Sequence, residues 1–267
     1  MMKPLPDFFP LDQYGIAPGD VTQMVFHCDP EVIRPDVILL PWWQPQVFQL
    51  WVGEIKTIAN NVLFEVEYQG RPITIARSGI GAPQAGDATL ALGCTACQRI
   101  FFAGSVGALR PDIHIGDLMM PTLSYSGDGF CRYLDPGFPM KDCLFEPVTP
   151  DEVLSQGVAR AAAPLVQQAG INLFSGPVYC TDSILSQFSR LDAIVDDLKC
   201  VGIEMETAAV FKAARMVGIR AAALFSVSDV PVRKQTLYAG RSEEERQHRL
   251  ETRSKVLAKA LLDSIVA

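Results

Sequence analysis

The strongest constraint on how this chain can fold is an alternation. Short apolar runs at 37–40, 73–76, 100–103, 176–180 and 219–227 are separated by segments of helical pattern. Strands that alternate with helices imply an α/β domain with a largely parallel central sheet. Residues 62–68 alternate apolar and acidic side chains, and Gln69-Gly70-Arg71-Pro72 turns them back onto 73–76 as a hairpin. The expected fold is therefore a single α/β domain over 37–267, with a mixed central β-sheet flanked by helices. Residues 1–36, rich in Pro, Asp and aromatics, read as an N-terminal extension with little regular structure. A length of 267 residues suits one such domain.

Helices are expected over 47–58, in the alanine-rich run 87–98, and from Thr149 to about Gly170. In the third, Thr149 serves as cap, Pro150 as first residue, and Glu152 completes a capping box. A fourth starts around Glu204 and stops near Gly218. A fifth, amphipathic, covers 242–266, with the charges from Glu243 to Arg249 on a solvated face. Residues 116–121 read as a strand. Residues 124–147 read as a long loop that shapes a pocket or a subunit contact.

Several function classes are disfavoured. A net charge of −7 argues against wrapping nucleic acid, which needs a basic surface. No apolar stretch reaches the ~20 residues of a membrane helix, and the start lacks the apolar core of a signal peptide. Seven scattered cysteines fit reduced thiols and a cytoplasmic location. Cys94 and Cys97 form a CxxC, but within a helical run they read as small buried residues. His27, His114 and His248 are too dispersed to suggest a metal site.

Four of the apolar runs end in small polar residues: Arg77-Ser78-Gly79, Gly104-Ser105, Thr181-Asp182-Ser183 and Ser228-Asp229. In open α/β sheets ligands bind beyond the carboxyl ends of strands, so these ends suggest one shared pocket. Each alone would be an ordinary turn. Together with Glu204-Met205-Glu206, two carboxylates around a Met at a helix start, they suggest a site.

The run Val201-Gly202-Ile203-Glu204-Met205-Glu206-Thr207-Ala208-Ala209, followed by Leu224-Phe225-Ser226-Val227-Ser228-Asp229, resembles the signature of the nucleoside phosphorylase superfamily. That family includes purine nucleoside phosphorylases, uridine phosphorylases and adenosylhomocysteine-type nucleosidases. The resemblance covers roughly 37–266. It implies cleavage of the N-glycosidic bond of a purine-type nucleoside. It also implies a homo-oligomer, a dimer or a trimer of dimers, and no metal or organic cofactor, with phosphate as co-substrate.

Cleaving that bond sets three tasks. The ribose hydroxyls must be held, and Glu206 is the candidate, with Met205 against the sugar and Glu204 assisting; charged acceptors make the stronger hydrogen bonds. The leaving base must gain a proton. Asp229, beside Ser228, is the candidate, provided burial raises its pKa well above ~3.9. A nucleophile must reach the sugar, and Ser78, Gly79, Gly104, Ser105 and Gly107 are candidates for an anion site built from exposed N–H groups. Ile184 stands where the resemblance leads one to expect a Phe on the base. Phe188, Trp42 and Trp43 are other sources of a ring.

The departures fall in the nucleophile site. The family's Pro-Gly-Asp-Pro-x-Arg after the first strand is Pro41-Trp42-Trp43-Gln44-Pro45-Gln46 here. Its arginine before the Gly-Ser turn is Phe102 or Ala103, and an arginine lent by a neighbouring subunit has only Asn60 and Asn61 as counterparts. Ser78-Gly79-Ile80-Gly81 is closer to the nucleosidases, yet Trp42-Trp43-Gln44 lacks their water-activating Glu. Three readings stay open: a phosphorylase with an altered anion site, with Arg77 as another cation; a phosphate-independent hydrolase; and a nucleoside-binding protein without turnover.

Overall fold

A computed structural model describes residues 9–135 and 141–267. In chain order the helices are α1 (Pro18–Phe26), α2 (Ala82–Leu92), α3 (Glu152–Ala169), α4 (Leu191–Asp196), α5 (Thr207–Met216), α6 (Glu243–Glu251) and α7 (Ala258–Val266). The strands are β1 (Asp36–Leu40), β2 (Ile55–Ala59), β3 (Leu63–Tyr68), β4 (Arg71–Arg77), β5 (Arg99–Ala108), β6 (Leu118–Gly127), β7 (Pro147–Val148), β8 (Leu173–Thr181), β9 (Gly202–Glu204) and β10 (Arg220–Asp229).

One mixed sheet holds all ten strands, in the order β10-β6-β8-β9-β5-β1-β4-β3-β2, with β7 beside β6. Strand β5 also pairs in parallel with β10, along nearly its whole length. Strands β5, β10, β6, β8 and β9 therefore close into a ring, and β1, β4, β3 and β2 extend from β5 as an open wing. Alternation along β5 and β10 sends side chains to two separate cores. Ile100, Phe102, Ala223 and Phe225 pack toward α2 and α5. Phe101, Ala103, Ala222 and Leu224 pack toward α3 and α7. The Phe102 and Phe225 rings meet edge-on, with centroids 5.7 Å apart.

The α/β class and the mixed sheet stand as read, but several boundaries move. Residues 47–58 are not a helix. A 3-10 turn at Pro45–Phe48 is followed by β2, which pairs antiparallel with β3. The turn between them places Asn61 at φ 57, a conformation Asn tolerates. Within 9–36 there is regular structure: α1, with Pro18 in its first turn, packs on α2, and Phe26 and Ile33 are fully buried. Residues 1–8 of the expected extension lie outside the described residues.

Helix α2 ends at Leu92, so Cys94 and Cys97 lie beyond it; both are buried and unbridged. Asp151, not Thr149, caps α3, accepting the Leu154 N–H at 2.8 Å. Strand β6 runs on to Gly127, so part of the expected 124–147 loop is sheet; residues 136–140 of that loop lie outside the described residues. The C-terminal helical segment carries a π-turn over Thr252–Leu257, between α6 and α7. No helix among the described residues is long and apolar enough to cross a membrane.

Short β9 is set between β8 and β5 by Gly202, where backbones and side chains crowd. A Cβ there would lie 2.4 Å from Met119 Sδ and 2.8 Å from Val106 Cγ2. Overpacking of this kind costs about 1–3 kcal/mol. Gly202→Ala is expected to lower the urea midpoint accordingly at an unchanged m-value. A midpoint equal to wild type would show that β9 is not held by this contact.

Candidate active site

The carboxyl ends of β8, β9 and β10 and the second half of β5 surround a cleft of about 290 Å³. Its walls include Ser105, Gly107, Ile184, Glu204, Met205, Glu206, Ser228 and Asp229. Eight candidates from distant parts of the sequence thus meet in one place. Ser78, Gly79 and Gly104 do not line it. Ser78 and Gly79 lie just before the cleft residue Ile80, and the Ser78 hydroxyl donates to the Gly79 carbonyl at 2.9 Å. Gly104 is fully inside β5, facing Pro41 and Phe225. The Gly-Ser-Val-Gly stretch is strand, not loop, because its register with β10 continues: Gly104 sits opposite Phe225, and Ser105 opposite Ser226.

The Glu204-Met205-Glu206 run ends one residue before the helix begins. Glu204 ends β9, and Glu206 is the N-cap of α5. One carboxylate oxygen of Glu204 accepts the N–H groups of Glu206 and Thr207, both at 2.7 Å. These are among the donors that a helix start leaves without intrahelical partners. Glu206 reaches the other way. Its Oε1 accepts the Gly81 N–H at 2.7 Å. Gly81 caps α2 at φ 100, which favours glycine.

Burial raises the Glu204 carboxyl well above the ordinary carboxyl range, and the neighbouring Glu206 raises it further, against its backbone hydrogen bonds. Burial raises Glu206 too, partly offset by the Gly81 N–H. At the end of β10, the Ser228 hydroxyl donates to Asp229 Oδ1 at 2.6 Å. Burial raises the Asp229 carboxyl, while Ser228, Arg241 and Arg249 oppose the rise. Gly107, opposite Asp229, has no side chain to intrude: a Cβ there would already lie 3.5 Å from both carboxyl oxygens.

The cleft is completed by residues that the sequence reading left out or assigned elsewhere. Pro41, Ile80, Gln187, Leu237, Arg241 and Arg249 all line it. Arg249 was expected on a solvated face, yet it is only partly exposed. Its spacing to Thr252, Val256 and Ala260, all buried, was the available signal. Trp42 lines the cleft and is 48% exposed, whereas Trp43 is buried beneath the Arg253 guanidinium, 4.7 Å from the ring centroid. Phe188 instead packs near Tyr238, centroids 6.4 Å apart. Arg77 is not a free cation. It donates to the carbonyls of Trp42, Trp43 and Asn61 at 2.8–3.0 Å and fixes the turn after β1. No cluster of three or more His, Cys, Asp or Glu side chains suited to a metal occurs among the described residues.

The raised carboxyls set a pH dependence. A carboxyl whose folded pKa exceeds its unfolded value binds more protons when folded, so stability falls as pH rises between the two. Unliganded protein should lose stability from about pH 4.5 upward through neutrality on account of Glu204 and Glu206. Glu206→Gln is expected to flatten that fall, read as melting temperature against pH. Parallel curves for variant and wild type would refute the assignment.

The comparisons with known proteins bear on the family and the fold. The model of the family described as the phosphorylase superfamily matches residues 52–266. A uridine phosphorylase of Thermococcus kodakarensis is 27% identical over 253 residues, 86% of this chain and 82% of its own. A DeoD-type purine nucleoside phosphorylase of Mannheimia succiniciproducens is 26% identical over 227 residues, 82% of this chain and 89% of its own. Among solved structures, the purine nucleoside phosphorylase of Toxoplasma gondii shares the fold at a TM-score of 0.70 and 23% identity, over 88% of this chain and 93% of its own. The 5′-methylthioadenosine/S-adenosylhomocysteine nucleosidase of Neisseria meningitidis does so at 0.66 and 20%, over 87% and 99%. With four-fifths of its length matched by the family model and its signature carboxylates gathered at one cleft, the chain belongs to the phosphorylase superfamily.

Proposed function

We propose that this protein cleaves the N-glycosidic bond of a purine-type nucleoside, with phosphate as the nucleophile. The observation that carries the proposal is Asp229, a buried carboxyl at a strand end, bonded by Ser228 and sharing a cleft with Glu206. A carboxyl whose pKa is raised by burial is the better general acid. In the proposed reaction Asp229 gives its proton to N7 of the base as the C1′–N9 bond breaks. An oxygen of phosphate then bonds to C1′, yielding the free base and ribose 1-phosphate.

Glu206, steadied by Gly81, accepts hydrogen bonds from the ribose hydroxyls, and Met205 packs on the sugar. Glu204 acts through α5, holding Glu206 in place. Ile184, Ile203 and Leu237 offer apolar surface to the base. Ser105 and Gly107 face the nucleophile. Support for a purine comes from the Ser228-Asp229 pair, and the relatives include purine enzymes beside the uridine phosphorylase: a guanosine phosphorylase of Halorubrum lacusprofundi is 27% identical over 176 residues, 64% of this chain and 68% of its own. A cytoplasmic homo-oligomer, a dimer or trimer of dimers, belongs to the same proposal. So does the absence of a metal or organic cofactor.

One observation favours hydrolysis as a second reading. Phe102 and Ala103 are fully buried, one in each core, so the position before Ser105 brings no cation to the cleft.

Incubating inosine, adenosine, guanosine and 5′-methylthioadenosine with and without phosphate, and separating the free base, decides between them. Release that needs phosphate and falls at least ~10²-fold in Asp229→Asn is expected. Release without phosphate would make water the nucleophile. No release from any of them by folded protein would sink the proposal.

A further inference from the structure

Three arginines of one segment stand without acidic partners at the cleft. Among the described residues, Arg241, Arg249 and Arg253 make no ion pair, although most of the salt bridges elsewhere use an arginine. Arg241 donates from Nε to the Ser228 carbonyl at 2.7 Å, but its Nη2 is buried without a partner. Arg249 Nε and Arg253 Nε are buried and unpartnered as well. Arg253 stacks on Trp43 and lines a neighbouring cleft that shares Trp42 with the first.

Such an arrangement is costly in isolation. Burial and the repulsion of Arg241 and Arg253 push Arg249 down to about 10, so it is still a cation at neutral pH. A guanidinium taken from water needs a charged acceptor, and its planar fork best matches a carboxylate or phosphate. The protein provides no such partner: Asp229 is the acid nearest in this wall, and no nitrogen of Arg241 or Arg249 approaches it within ion-pair distance among the described residues. In the same wall Ser105 Oγ is also buried without a hydrogen bond. Arg77, at the end of β4, is spent on three carbonyls.

We infer that Arg249, with Arg241 beside it, forms an oxyanion subsite of this cleft that takes a phosphate group. The phosphate is either the free co-substrate or one carried by the nucleoside. That an oxyanion binds follows from the unpartnered donors; that it is phosphate rests on the nucleoside reading above. Arg249 thus takes over the cationic role for which Phe102 and Trp42 offer nothing.

The test is calorimetric titration of the full chain, first with inorganic phosphate and then with inosine 5′-monophosphate. Arg249→Gln is expected to bind the preferred probe at least tenfold more weakly. Arg249→Lys, which keeps charge but loses the fork, should fall between it and wild type. Arg160→Gln, exposed on α3, should bind as wild type does. Circular dichroism confirms that each variant is folded, and Arg249→Lys carries the test if Arg249→Gln is not. Phosphate binding alone identifies the co-substrate as the anion; binding of the monophosphate alone identifies one borne by the nucleoside. Both support the inference. No binding of either probe to wild type, or equal affinities in wild type and the folded Arg249 variants, would overturn it. Arg249-dependent phosphate binding without base release from any nucleoside would retain the subsite and remove the enzymatic reading.

Discussion

The site depends on two carboxylates that face the starts of two helices. Glu204 gathers the first N–H groups of α5, and Glu206 takes the N–H of Gly81 where α2 begins. Each hydrogen bond to a charged acceptor is worth about 1.5–3 kcal/mol, and a helix N-terminus favours an anion by up to ~2 kcal/mol. Against this stands an effective cost of several kcal/mol for each ion taken from water. Burial outweighs these bonds, and both carboxyls are raised. The same bonds tie β9 to α2 and α5, so the position of Glu206 is set by the helical layer and not by β9 alone.

The closure of β5 onto β10 explains why distant segments meet here. Were β5 paired only with β1 and β9, the ends of β5 and β10 would stand far apart in the sheet order, with β6, β8 and β9 between them. The parallel register that pairs Arg220 with Arg99 holds to Val227, and a one-residue shift between Val227 and Asp229 then sets Asp229 against Gly107. This pairing delivers Ser105 and Gly107 from one strand and Ser228 and Asp229 from the next. Packing Phe102 against Phe225 at the base of this ladder fixes both strands from the side facing α2 and α5.

What was legible in the sequence was local. Ser228-Asp229 follows an apolar run, which indicated a strand end without knowledge of any partner, and Glu204-Met205-Glu206 was legible as a contiguous motif at a helix start, though Glu204 belongs to the short strand before it. The wing was legible too, because the 69–72 turn and the alternation of β3 are short-range signals. The role of Gly104 was not. A glycine between small residues reads as a turn, and only pairing with β10, more than a hundred residues away, makes it strand. Residues 47–58 misled for a related reason: Trp51 and Val52 suit a helix, but Ile55 and Thr57 find partners in β3. Arg249 lies in a charge-dense stretch whose exposed face depends on how the C-terminal helix docks, and on a π-turn that composition does not announce.

The cations and the acid in this cleft constrain one another. Had Arg241 or Arg249 closed onto Asp229 as an ion pair, the carboxylate would be stabilised and its pKa held down. Instead Arg241 is anchored through Nε to the carbonyl of Ser228, the residue whose hydroxyl bonds Asp229. The arginine is held close enough to be felt, and burial still dominates the carboxyl. On the proposed reading this separation has a purpose. A phosphate at Arg249 would offset one of the two cations that oppose the rise of Asp229, so anion binding would favour the protonated acid. Loading the nucleophile and arming the proton donor would then be a single electrostatic event, achieved with one helix that carries no acidic residue into the cleft.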